Sequence, residues 1–90
     1  MDVHTKLQGL MEELAAIEHE RWTHWQRYMH GKAVRQPDGG LLVPPELVAK
    51  WERQMATSYA DLSASEKTSD REQVQRYLPV IAKALSDDSA

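Results

Sequence analysis

Two stretches of the chain carry charges where a helix would be expected to place hydrophobes. In the first, Leu14 leads at helical spacing to Glu18, then to Arg21 and Trp22, and on to Trp25 and Met29. In the second, Ile81, Leu78 and Val74 run back into Arg71, Asp70 and Lys67. Each stretch therefore sets an acid and a base on its inward face. A charge left unpaired in a dry core is strongly destabilising, so these groups must meet one another, water or a ligand. Packed side by side, Glu18 with Arg71 and Arg21 with Asp70 would form bidentate guanidinium–carboxylate bonds, a structural ion-pair network. The competing chemistry is anion capture. Arg21, Lys67 and Arg71 lie near Trp22, Trp25, Tyr28, Trp51 and Tyr59, and a base stacked on an aromatic gains about 1–3 kcal/mol. Trp22 directly follows Arg21 and is the better stacking surface, whereas Trp25 and Trp51 are expected in the core.

Enzyme templates fare poorly. His19 and His24 are five residues apart, which turns one about 140° from the other around a helix and rules out zinc binding by this pair on one face. His19 can still donate a hydrogen bond or sit as a satisfied imidazole. No nucleophile elbow, dinucleotide fingerprint or phosphate loop occurs. The serines fall at caps, exposed helix positions or the tail, and Glu12-Glu13 and Asp87-Asp88 are expected to be solvated. Catalytic residues, a metal and a cofactor are therefore not expected.

The elements that must hold these residues are mostly helical. From Val3 to His30 apolar residues recur at three- and four-residue steps, which predicts one long amphipathic helix, started by Asp2 or Thr5 and ended by a left-handed cap at Gly31. Pro37-Asp38-Gly39-Gly40 is a turn signal between Ala33-Val34 and Leu41-Leu42-Val43, so a short hairpin or ordered loop follows. Pro44-Pro45 opens a second helix to about Thr57, with Leu47, Val48, Trp51 and Met55 as its stripe. Ser63 and Glu66 have capping-box spacing and begin a third helix, with Val74, Tyr77, Leu78, Ile81 and Leu85 inward. Pro79 should kink that helix or divide it. The fold expected is all-α or mostly so, three main helices in a single domain over residues 1–90, with 86–90 frayed.

Ninety residues with 41% hydrophobic and 28% charged content suffice for one globular core but not two. A domain of this size buries about 60–65% of its unfolded surface, which makes it marginal alone and a candidate for self-association. With no cysteine and a net charge of -3, disulfides, thiolate chemistry and a basic stripe for nucleic acid are all unexpected. No apolar run exceeds four residues, so neither a membrane partner nor a signal peptide is expected, and a cytoplasmic location is.

Leu14 to Trp22 (LAAIEHERW) and Tyr59 to Arg71 (YADLSASEKTSDR), followed by Val74, together resemble the ryanodine-receptor-type repeat, or RyR domain. The Leu42-Val43-Pro44 step is similar to that family's link between the two motifs. The resemblance covers residues from about 10 to 81 and is greatest to small bacterial and phage members with a single repeat. It departs in the middle, where Lys32 to Gly40 and a helix around Trp51 replace the family's aromatic loop.

The resemblance implies a mostly helical domain that binds an adenine-containing nucleotide or a cyclic nucleotide signal without enzymatic activity. Trp22 would stack on the base; Arg71, with Lys67 and Arg21, would meet phosphates; Glu18 and Asp70 would orient the arginines; His19 would lie nearby. A single repeat has one such tryptophan, so a homodimer or higher oligomer would supply the second. Sequestering a defence second messenger in the host cytoplasm is the implied role of a phage member. The alternative expectation is a structural or protein-interaction module in which the motif charges form a buried ion-pair network.

Overall fold

The computed structural model describes residues 2–86. Five α-helices, a two-stranded hairpin and one short 3-10 turn make up the described chain. They are α1 (Val3–Gln8), α2 (Met11–Lys32), β1 (Val34–Arg35), β2 (Leu41–Leu42), α3 (Pro45–Met55), α4 (Ala64–Val74) and α5 (Leu78–Ser86), with the 3-10 turn at Tyr59–Asp61. The mostly helical class follows directly. Of the expected frayed tail, Ser86 closes α5, and 87–90 lie outside the described residues.

The first predicted helix divides. Asp2 caps α1 by accepting from the Thr5 amide at 2.8 Å, but the ladder tightens at Gly9 and Leu10, where the Leu10 amide donates to the Leu7 carbonyl. Glycine lowers helix stability by about 0.5–1 kcal/mol relative to alanine, and Leu10 offers no side-chain cap, so the helix is interrupted there. At the other end α2 runs through Gly31 to Lys32 and ends at Ala33 in extended backbone, so the expected left-handed cap at Gly31 does not form.

The hairpin follows its local chemistry closely. Gly39 donates to the Gln36 carbonyl across Pro37-Asp38, Gln36 donates to the Gly40 carbonyl, and Asp38 Oδ1 accepts from the Gly40 amide. Gly39 has φ +88°, the left-handed position that a three-residue hairpin loop requires. Val34 pairs with Leu42 and Arg35 with Leu41, antiparallel. Pro45 then stands at the first position of α3, where its missing N–H costs nothing.

The Ser63 capping box is complete, with Ser63 Oγ accepting from the Glu66 amide and Glu66 Oε1 from the Ser63 amide. The predicted third helix is bent, and it is interrupted at Gln75 to Tyr77. There Arg76 and Tyr77 donate to the carbonyls of Gln73 and Val74 in three-residue turns. The break precedes Pro79 because the proline lacks an N–H for the carbonyl of residue 75 and its ring would collide with it. Pro79 itself is accommodated in the first turn of α5.

What the sequence suggests and the structure lacks is an interior. None of the described residues is buried. The radius of gyration is 18.1 Å with extents of 56 × 34 × 16 Å, against about 12 Å for a compact chain of this length. Helices α1 and α5 lean on each other, but Val74 and Leu78, expected inward, are 50% and 49% exposed. Trp25 and Trp51, expected in the core, are only half-buried. No described helix is long and apolar enough to cross a membrane.

Candidate functional site

The motif charges come together differently from the pairing their spacing suggests. Glu18 does not reach Arg71. It takes Arg21, one turn further along α2, as a two-point partner through Nε and Nη2. Side chains three apart share one helix face, so this pairing needs no long-range contact. The cross-helix tie comes instead from Tyr77, whose hydroxyl donates to Glu18 Oε2 at 2.5 Å. Its neighbour Arg76 pairs with Glu20. Glu18 and Glu20 lie on opposite sides of α2 by the helical period, so the α4–α5 junction grips α2 on both flanks.

This junction is solvated, which corrects the expected buried network. The Arg21 and Glu18 side chains are 40% and 52% exposed. The guanidinium of Arg21 and then the Tyr77 hydroxyl hold the Glu18 carboxyl down to about 2. The Glu18 contact raises Tyr77, because the carboxylate holds its phenol proton. Arg21 is raised by Glu18 in turn.

Arg71 and Lys67 converge on Tyr59. Arg71 Nε donates to the Tyr59 hydroxyl at 3.0 Å, and Lys67 Nζ stands 5.8 Å from the centre of the same ring, a cation–π distance. Asp70 does not pair with Arg21. It lines an open cleft of about 570 Å³ with Trp25, Tyr28, Trp51, Met55 and Tyr59. Its walls come from α2 and α3, with Tyr59 of the 3-10 turn and Asp70 of α4 also lining it.

Trp22 faces a different groove. Its ring lies 5.9 Å from that of His19, nearly parallel at 20°, and is 56% exposed. Thr23, Gln26, Arg27 and His30 line the groove with it. Within one chain, then, Trp22, His19 and Arg27 form one cluster, Glu18, Arg21 and Tyr77 a second, and Tyr59, Lys67 and Arg71 a third. Among the described residues no group of three or more acidic or histidine side chains is arranged to hold a metal ion.

Arg76, Glu20, Tyr77 and Arg27 escape a reading by spacing. Tyr77 falls on the apolar series and passes for a core residue, although its hydroxyl demanded an acceptor. Arg76, Glu20 and Arg27 look like ordinary solvated charges.

No family model matches the chain, and neither the curated proteins nor the solved structures contain a significant match to it.

Proposed function

We propose that this chain is a non-enzymatic interaction module whose fold is completed by another polypeptide. One observation carries the reading: none of residues 2–86 is buried, while apolar side chains line an open cleft between α2 and α3. The motif charges support it in a structural role, since Glu18, Arg21 and Tyr77 lock the α4–α5 junction to α2. The serines support it too: Ser63 caps α4, and Ser58 donates to Asp61.

Circular dichroism melts over a hundredfold range of protein concentration test the reading, together with light scattering. Association that completes the fold makes the melting temperature rise with concentration or with added partner. A helical monomer that melts cooperatively at one temperature throughout would overturn it.

A second reading, capture of an adenine-type nucleotide or cyclic nucleotide, is favoured by the Trp22 groove. An exposed indole backed by His19 offers a base a stacking face, and Arg27 and His30 offer donors for a phosphate. The resemblance to RyR domains points the same way and extends it to sequestering a defence messenger. Arg71 and Lys67 would join Trp22 only from a second copy. In a thermal-shift series with mono-, di- and cyclic adenine nucleotides, ligand a hundredfold above its dissociation constant stabilises by about 2.7 kcal/mol. Trp22→Ala should abolish that shift while leaving the helical signal intact; absence of any shift in the wild-type chain sinks this reading.

A further inference from the structure

We propose that the missing polypeptide is a second copy of this chain, whose α4–α5 apolar stripe seats in the α2–α3 cleft, each copy doing so to the other. The inference rests on the interaction-module reading and names its partner.

Surface area sets the scale of what is missing. The chain exposes 7055 Å², whereas a compact monomer of 10.3 kDa exposes about 5,350 Å². The excess is about 1,700 Å² per chain, twice the roughly 800 Å² that each partner contributes to a standard interface and in the range of obligate dimers. A peptide or small ligand would not cover that area. Another folded chain would.

The same molecule carries both halves of a fit. One half is the cleft, where Trp25, Trp51 and Met55 converge and Met55 is 77% exposed. The other is Leu78 and Leu85, seven residues apart on one face of α5, with Val74 at the end of α4 before the bend, all three exposed. An apolar helix stripe laid in an apolar groove is a standard mode of helix recognition. When one chain bears both, a two-fold axis lets each copy fill the other's groove, and the contact closes without leaving a free end to polymerise. The thin dimension of 16 Å fits the same scheme, since stable domains are built from packed layers and the partner supplies the second.

The chain has no cysteine, which makes a directed cross-link unambiguous. Met55→Cys and Leu78→Cys are prepared as separate full-length variants, mixed, and oxidised mildly, with wild-type mass measured by light scattering. The expected result is a wild-type dimer of about twice the chain mass and a disulfide that joins the two different variants far more efficiently than either variant joins itself. A dimer that links only 55 to 55 or 78 to 78 overturns the inference. So does a monomer that lacks helical signal, an outcome that leaves the interaction-module reading standing with a different protein as partner. A helical, cooperatively melting monomer overturns both.

Discussion

At the residue scale, Glu18 decides how the two helical segments meet. Its carboxylate accepts from Arg21 on its own helix and from Tyr77 at the α4–α5 junction. Its folded value of about 2 lies below the ordinary carboxylate range because both partners favour the charged form. The stabilisation it contributes is therefore complete above the unfolded value, near 4.5, and is lost as pH falls from there through about 2. In an acid titration followed by circular dichroism, Glu18→Gln should flatten the decline over that window while leaving stability above pH 5 lower than wild type. A titration curve unchanged by the substitution would show that the carboxylate makes no such tie. Removing the other partner, as Tyr77→Phe, should raise the titration midpoint of the Glu18 carboxyl, followed by NMR, toward its ordinary value, since one of its two donors is gone.

At the element scale, helix starts and the hairpin turn are set by local hydrogen bonds that single substitutions can remove. Ser63→Ala removes the hydroxyl that accepts from the Glu66 amide, one arm of the capping box, and that also helps hold the Glu66 carboxyl below its ordinary value. It should cost about 1 kcal/mol, seen as a lower midpoint in urea. Gly39→Ala meets no steric obstacle, since nothing lies within 4 Å of the added carbon, but its φ of +88° strains any side-chain-bearing residue. The expected cost is about 1 kcal/mol, read from the melting temperature. These elements were legible because each signal joins residues no more than four apart: Ser63 to Glu66, Gln36 to Gly40, Asp2 to Thr5. The divisions of α1 from α2 and α4 from α5 were less so. Gly9 and Pro79 mark weak points, but a glycine or a proline shows only that a helix can break nearby, and the break before Pro79 falls at Gln75 to Tyr77.

At the scale of the whole molecule the governing fact is surface. A substitution at Met55 distinguishes the lone chain from the assembly, because a side chain 77% exposed has little to lose in the former. Met55→Lys should change the stability of an isolated chain by less than about 0.5 kcal/mol. If that methionine is covered by a partner, the same change should weaken association by about 1.5–3 kcal/mol or more, at least tenfold in the dimer dissociation constant by sedimentation.

Of the candidate site, the sequence alone pointed to some of the residues and to little of their arrangement. Helical periodicity singled out Glu18, Arg21, Lys67, Asp70 and Arg71 as charges out of place, but the expected company of Trp22 did not form, since Trp22 faces a separate groove with Arg27 and His30. Which charge met which was decided only by tertiary structure. Glu18 finds Arg21 three residues away on its own helix face, and the distant partner that packing brings to it is Tyr77, at the junction after α4, while Arg71 lies beside Tyr59. Arg71 was left to bond Tyr59, and the junction was tied by Tyr77 and Arg76, residues whose local pattern gave no hint of it. The size of the chain indicated that its core would be small. That no described residue is buried follows only from the packing, because hydrophobic pattern specifies which face avoids water and leaves open whether the same chain or another one covers it.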